Sequence, residues 1–273
     1  MTGLLDLTGK NALVTGIANN RSIAWGIAQQ LHQAGANLAI TYLPDDRDRT
    51  KGKVEELTAP LNPAFLLPCN VQDDSQITEM YEQLKKKWQK LDILIHCLAF
   101  ANKEDITGNF VDISRSGFQL ALDVSAYSLI ALCRGAQPLM TEGGSVVTLT
   151  YIGGVKVIPN YNVMGIAKAA LEMNVRYLAA ELGQQNIRVN GISAGPIRTL
   201  ASSAVGDILK MMHYAEKVSP LKRLVSQLEV GNVAAFLASD LASCVTGQII
   251  YADCGYEVMG SGLVKEDKEQ QDS

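Results

Sequence analysis

Short apolar runs of strand length alternate along the chain with longer stretches whose apolar positions recur at helical spacing. Asn11–Thr15 reads as a buried strand, and Ser22–Ala34 as a helix that Gly35 stops. Asn37–Tyr42 is the next strand, followed by a polar helix around Asp45–Leu57, the strand Ala64–Pro68 and a charged helix over Asp74–Lys87. Leu91–Leu98 is a fourth strand, and Ser114–Met140 a long helix. Strand Ser145–Thr150, long helix Asn160–Gly183 and strand Ile187–Ile192 follow; helix Ser226–Ser239 and strand Gln248–Ala252 close the series. The strands are continuously apolar rather than alternating, as expected for strands covered on both faces.

About seven β runs joined by helical crossovers predict an α/β fold: a single doubly wound, Rossmann-type parallel sheet with helices on both faces. No repeat and no linker-like shift in composition divides the chain, so residues 1–260 read as one domain. Arg198–Pro220 falls outside the alternation and is a candidate cover over a site; the polar tail 261–273 is expected to fray.

Composition narrows the class. With 47% hydrophobic and 19% charged residues, global disorder is excluded. A net charge of −4, from 24 basic against 28 acidic residues, argues against a nucleic-acid or anionic-membrane footprint. No run approaches the length of a membrane span, and the first residues lack a signal or transit pattern. The five cysteines (69, 97, 133, 244 and 254) form no CxxC pair and read as free thiols of a reducing compartment, so a cytoplasmic protein is expected. His32, His96 and His213 are too few and scattered for a metal site and read as structural.

In such a sheet, ligands sit at the carboxyl ends of the strands. The first strand leads into Gly16, Ala18 and Ser22, small residues that let a phosphate approach the backbone, and Ser22 and Ile23 open a helix whose free N–H groups favour an anion. There is no GxGxxG fingerprint: Gly16 and Gly26 lie ten apart. Taken alone, this turn fits either a dinucleotide cradle or a plain strand–helix corner. The second strand ends at Leu43 without the acidic residue that would hold a ribose diol. Arg47 and Arg49 fit either a 2′-phosphate contact or a solvated charge cluster. Asn70 and Val71, after the third strand, are placed to touch an adenine edge, and Leu98 and Ala101 follow the fourth in an apolar stretch.

Residues 148–172 carry the most chemistry. Tyr161 and Lys168 are seven apart, which at about 100° per residue puts them on one helix face within about 20°. A tyrosine can donate a proton toward a developing oxyanion, and a lysine can hold ribose hydroxyls. A packed tyrosine with a snorkelling lysine accounts for the same spacing.

These motifs, VTGIANNRSIAWGIA, the Tyr151 segment, YNVMGIAK and NGISAGPIRTLA, resemble the short-chain dehydrogenases/reductases, and within them the bacterial-type enoyl-acyl-carrier-protein reductases, over Leu5–Gly260. The general superfamily spaces its Tyr and Lys four apart; position 165 here is Gly, and Tyr161 with Lys168 matches the wider enoyl-reductase spacing. In an enoyl thioester, hydride goes to Cβ while charge develops two bonds away on oxygen, so donor and hydride must stand further apart than in ketone reduction. The resemblance implies that Tyr161 binds the enolate oxygen and also the substrate, that Lys168 binds the nicotinamide ribose, and that Tyr151 is a second active-site tyrosine. It further implies dinucleotide contacts at Gly16, Ser22, Ile23, Leu43, Asn70, Val71, Leu98, Ile197 and Thr199, and a substrate contact at Ala101. Leu43 and Asn70 depart from the usual residues, a polar one and an Asp. NADH is favoured because no basic pair follows the second strand, with NADPH left open.

Arg198–Pro220 is then the substrate-covering loop, with Ala201, Val205, Ile208, Met211 and Met212 suited to an acyl chain. Lys210, Lys217, Lys222 and Arg223 form a candidate patch for an acidic acyl carrier protein. A homotetramer is implied. A generic NAD(P)-dependent carbonyl reductase and a non-catalytic dinucleotide sensor are the competing readings. The missing Tyr-x3-Lys spacing counts against the first, and joint retention of Tyr151, Tyr161 and Lys168 against the second.

Overall fold

The computed structural model describes residues 5–199 and 208–260. In chain order it runs β1 (Asn11–Val14), α1 (Ile23–Gln33), β2 (Asn37–Tyr42), α2 (Arg49–Thr58), β3 (Phe65–Pro68), α3 (Asp74–Lys87), β4 (Ile93–His96) and α4 (Lys103–Ile106). It continues with α5 (Arg115–Leu122), α6 (Ser128–Ala136), β5 (Gly144–Thr150), α7 (Asn162–Leu182), β6 (Ile187–Ala194), α8 (Ile208–Val218), α9 (Gln227–Ala238) and β7 (Ile249–Ala252). The strands form one sheet in the order β3-β2-β1-β4-β5-β6-β7, and every pairing is parallel. The chain winds outward from β1 to β3, then crosses back to β4 on the other side of β1. The carboxyl ends of β1 and β4 are therefore the switch point, where neighbouring loops diverge and leave a crevice.

Strand periodicity accounts for the two cores. Ala12 and Val14 of β1 and Ile93 and Ile95 of β4 face the cluster built with α1 and α9. Leu13 and Leu94, one residue out of phase, face the cluster built with α3, α6 and α7. Because each strand is covered on both sides, a polar substitution on either face of β1 or β4 would bury a group without a partner.

Local chemistry sets several boundaries. Asp73 caps α3 by accepting from the Ser75 N–H at 2.9 Å, and Lys85, Lys86 and Lys87 sit at the negative end of its dipole. Ser226 and Glu229 close a capping box on α9. The helix expected from Asp45 starts later, at Arg49: the Asp45 carboxylate accepts the N–H groups of Arg47, Arg49 and Thr50, which makes a turn first. The long helix expected over 114–140 is interrupted by a π-helical turn at Asp123–Tyr127. Residues 115–139 are long and apolar enough to cross a membrane by length and composition alone, although their apolar positions form no unbroken run. About half of this stretch is buried inside the fold, with Leu129, Leu132 and Ala136 in the second core. Within the expected cover, α8 is a helix; Ala201 and Val205 lie outside the described residues, as does the polar tail.

Candidate active site

All the loops singled out from the sequence leave the carboxyl edge of the sheet, because the strands are parallel. At the end of β1, Gly16 adopts φ +88°, and a Cβ there would lie 2.1 Å from the Cys97 carbonyl oxygen. Only glycine lets the β1 and β4 loops approach this closely. The buried Ser22 side chain accepts the Ala18 and Asn19 N–H groups at 3.0 and 3.1 Å, curling the chain before Ile23 begins α1. The helix N-terminus thus points into the crevice above Gly16, a cradle a side chain would fill and a dinucleotide pyrophosphate suits.

The other expected dinucleotide contacts ring this edge. Leu43, just past β2, is 59% exposed and offers backbone rather than a polar side chain. The Asn70 side chain is used within its own turn, accepting from the Gln72 N–H at 3.2 Å, while its N–H donates to Gln76. Val71 and Leu98 are half-buried and pack on the second core, and Ile197 packs on the first. Thr199 is half-buried at the end of the described segment. Arg47 and Arg49 belong to the Asp45 turn on the surface.

Tyr161 is the N-cap of α7, not a residue within it; the helix begins at Asn162, whose φ is +34°. The shared-face arithmetic from 161 to 168 therefore breaks at its first step. The loop from Tyr151 turns through Ile152–Gly154 and returns to lay the two tyrosine rings edge to face, 5.0 Å apart. Gly153 permits this: a Cβ there would lie 2.4 Å from Tyr161 Cδ1. Burial raises both phenols well above their ordinary pKa, and Tyr151 raises that of Tyr161 further. Tyr161 therefore stays protonated at neutral pH, a neutral hydrogen-bond donor. It packs on a small apolar cluster of Ile106, Ala121, Val163 and Met164, joined by Ala99, Ala101, Ile113 and Met211. The structure thus gathers Tyr161, Ala101 and Met211, which come from three separate segments, around one apolar space.

Lys168, one turn and more along α7, is 5% exposed, and its Nζ donates to the Leu149 carbonyl at 2.7 Å. Burial lowers its pKa to about 8, against the pull of Cys97 and Glu172. It forms no ion pair among the described residues. A buried ammonium held by one carbonyl has donors to spare, which fits ribose hydroxyls.

One contributor escaped the sequence reading. Glu172, one turn after Lys168 on the same helix face, accepts from Thr150 Oγ1 at 2.8 Å, and burial raises its pKa. An acidic residue four after a lysine on an otherwise apolar helix face was its signal. His96, read as structural, is fully buried between Thr148 Oγ1 (2.7 Å from Nδ1) and Ser128 Oγ (2.8 Å from Nε2). Ser128 donates its proton to the Val124 carbonyl at 2.6 Å, so His96 Nε2–H donates to Ser128 and Nδ1 accepts from Thr148. Burial, with Lys168 nearby, lowers its pKa to about 3, and it stays neutral. The π-helical turn is anchored here as well. Ser125 Oγ accepts the Phe100 N–H at 3.0 Å and Asn174 donates to the Ala126 carbonyl at 3.0 Å.

On the α8 side, the expected basic patch is partly spent. Arg223 is engaged by Glu229 at 2.6 and 3.0 Å, and Lys222 Nζ donates to the Lys217 carbonyl. Met211 reaches the apolar cluster, whereas Ile208 and Met212 are half-buried on the helix without joining it.

Comparison with known proteins yields a consistent picture. A family model described as enoyl-(acyl carrier protein) reductase matches residues 16–257. An NADH-dependent enoyl-acyl-carrier-protein reductase of Nostoc sp. is 69% identical over 257 residues, 94% of this chain and 100% of the relative. A Bacillus cereus enoyl-acyl-carrier-protein reductase, solved with NADP+ and an indole naphthyridinone, is 50% identical with a TM-score of 0.90, over 93% of this chain and 99% of that one. An Anaplasma phagocytophilum reductase, solved with NAD, is 43% identical with a TM-score of 0.91, over 96% of this chain and 99% of that one.

Proposed function

Because the chain belongs to the enoyl-acyl-carrier-protein reductase family, we infer that it is an NADH-dependent oxidoreductase of fatty acid biosynthesis that reduces the trans-2 double bond of an enoyl thioester. The observation that carries this reading is the edge-to-face pair of Tyr151 and Tyr161 over an apolar cluster, with Lys168 buried beneath. When bound, the reduced nicotinamide supplies the hydride that Cβ accepts.

The chain's own residues do the rest. Gly16, Ser22 and Ile23 would cradle the pyrophosphate against the start of α1, with Leu43, Asn70, Val71, Leu98, Ile197 and Thr199 along the rest of the dinucleotide. Lys168 would hold the nicotinamide ribose. Tyr161, kept protonated by burial, donates a hydrogen bond to the thioester oxygen that strengthens as negative charge develops there; the enolate left by hydride addition at Cβ then takes a proton from solvent at Cα, completing the saturated product. Tyr151 holds the Tyr161 ring edge-on. Ala101, Met164 and Met211 wall the acyl chain and exclude water from the reacting carbon.

The thioester is carried by acyl carrier protein, and Lys210 and Lys217 on α8, with Lys222 just past it, are exposed cations suited to its acidic surface. Residues 1–260 act as one domain. The five unpaired cysteines support a cytoplasmic location. Exposed Ile166, Met173 and Tyr177, at helical spacing along one face of α7, support an interface between copies of the chain, as in a homotetramer. Purified protein mixed with crotonyl-coenzyme A and NADH or NADPH tests the function: loss of the reduced-nicotinamide absorbance is expected, faster with NADH. No turnover with either cofactor would overturn the reading.

A further inference from the structure

The turn after β7 borders two parts of the active-site rim. Asp253 shapes it by accepting the N–H groups of Gly255 at 2.9 Å and Glu257 at 2.8 Å. Lys156, midway between Tyr151 and Tyr161, donates from Nζ to the Glu257 carbonyl at 2.7 Å and lies 3.6 Å from its carboxylate. Leu221, just past α8, donates its N–H to the Cys254 carbonyl at 3.3 Å. The turn is therefore fastened both to the loop that carries the two tyrosines and to the end of α8.

At its centre stands Tyr256. Its ring meets Tyr214 of α8 edge to face, with centroids 6.3 Å apart and planes at 89°. Tyr214 meets Tyr256 on this turn, and the turn is tied through Glu257 and Lys156 to the loop of Tyr151 and Tyr161, so α8 is connected to the group facing the thioester. Tyr256 makes no hydrogen bond through its hydroxyl among the described residues, so its contribution lies in the ring.

We propose that Tyr256 is a positioning residue for the reductase reaction: seated against Tyr214 on the turn that Lys156 ties to the tyrosine loop, it couples the seating of α8 to the orientation of the tyrosine pair that receives the substrate. The proposal rests on the enoyl-reductase reading above. Edge-to-face aromatic pairs have the strength to shift such an orientation by several-fold, since each is worth up to about tenfold in an equilibrium.

The test is kinetic and spectroscopic. Tyr256→Ala, and the milder Tyr256→Leu, should lower kcat for crotonyl-coenzyme A by about three- to tenfold while the KM for NADH stays within about twofold. Tyr256→Phe should restore kcat. Tyr214→Ala should reproduce the loss, and the double variant Tyr214→Ala/Tyr256→Ala should be no slower than either single one, because both cut the same link. Fluorotyrosine-labelled protein gives a readout that needs no turnover. The 19F signal of Tyr151, assigned with Tyr151→Phe, should shift on Tyr214→Ala but not when Tyr256 is already alanine. Full kcat in Tyr256→Ala, losses that multiply in the double variant, or a Tyr151 signal indifferent to Tyr214 would each overturn the proposal. If wild-type protein turns over no enoyl thioester, the enoyl-reductase reading fails on its own, and the fluorine shifts alone decide whether Tyr256 positions Tyr151.

Discussion

Replacing Lys168 by methionine removes a buried charge while keeping most of the side chain's length. The lysine is 5% exposed, and burial lowers its pKa from 10.5 to about 8. At neutral pH its ammonium is therefore about 3 kcal/mol less favourable in the fold than in water. Methionine avoids that cost but leaves the Leu149 carbonyl without this donor, a loss of about 1–2 kcal/mol. The net expectation is a ligand-free protein about 1–2 kcal/mol more stable than wild type, with Tm higher by about 3–6 °C for a domain of this size. The advantage should fade with rising pH. Between about 8 and 10.5 the folded lysine is neutral while the unfolded one still binds a proton, so wild-type stability climbs relative to the variant. Thermal melts of the ligand-free proteins at neutral and alkaline pH give both quantities. The same variant should bind NADH at least about tenfold more weakly in a fluorescence titration, through loss of charge-assisted hydrogen bonds. A lower Tm at neutral pH, or unchanged NADH affinity, would refute the view that this charge is kept for a ligand at the expense of the fold.

Tyr161→Phe should lower kcat by about 10²-fold with the NADH Kd unchanged, since it removes one donor to a developing oxyanion; stopped-flow turnover and equilibrium titration separate the two. His96 contributes a pH slope. With a pKa of about 3 in the fold against 6.5 ordinarily, it resists a proton that the unfolded chain binds, so stability falls with pH below 6.5. From pH 7.5 to 5 that loss is about 2 kcal/mol. Denaturant titrations across this range should show a shallower slope for His96→Gln, and parallel slopes would refute the assignment.

Much of this could be read from the chain, for identifiable reasons. β5 was expected at Ser145–Thr150 and spans Gly144–Thr150, because a strand buried on both faces is an unbroken apolar run. α3 matches its expected limits because Asp73 and the closing lysines mark its ends chemically. Tyr161 and Lys168 stand out in the chain through their spacing and Tyr151 only through the family resemblance, while Tyr161 proves to cap α7 because the backbone at Asn160 and Asn162 turns to positive φ. The π-helical turn at Asp123–Tyr127 had no local mark, since its stabilising partners, Phe100 and Asn174, are distant in sequence. The same holds for Tyr256, which meets Tyr214 only once β7 has closed the sheet edge. His96 reads as structural from the sequence and is so in the fold, buried and neutral between Thr148 and Ser128.

Reduction of crotonyl-coenzyme A with NADH carrying deuterium at the transferred position bears most directly on the proposed chemistry. Mass spectrometry of the product should find butyryl-coenzyme A with one deuterium at Cβ, formed by wild type and sharply reduced in Tyr161→Phe. Absence of labelled butyryl product, or a carbonyl reduced to an alcohol in its place, would contradict enoyl reduction at this site.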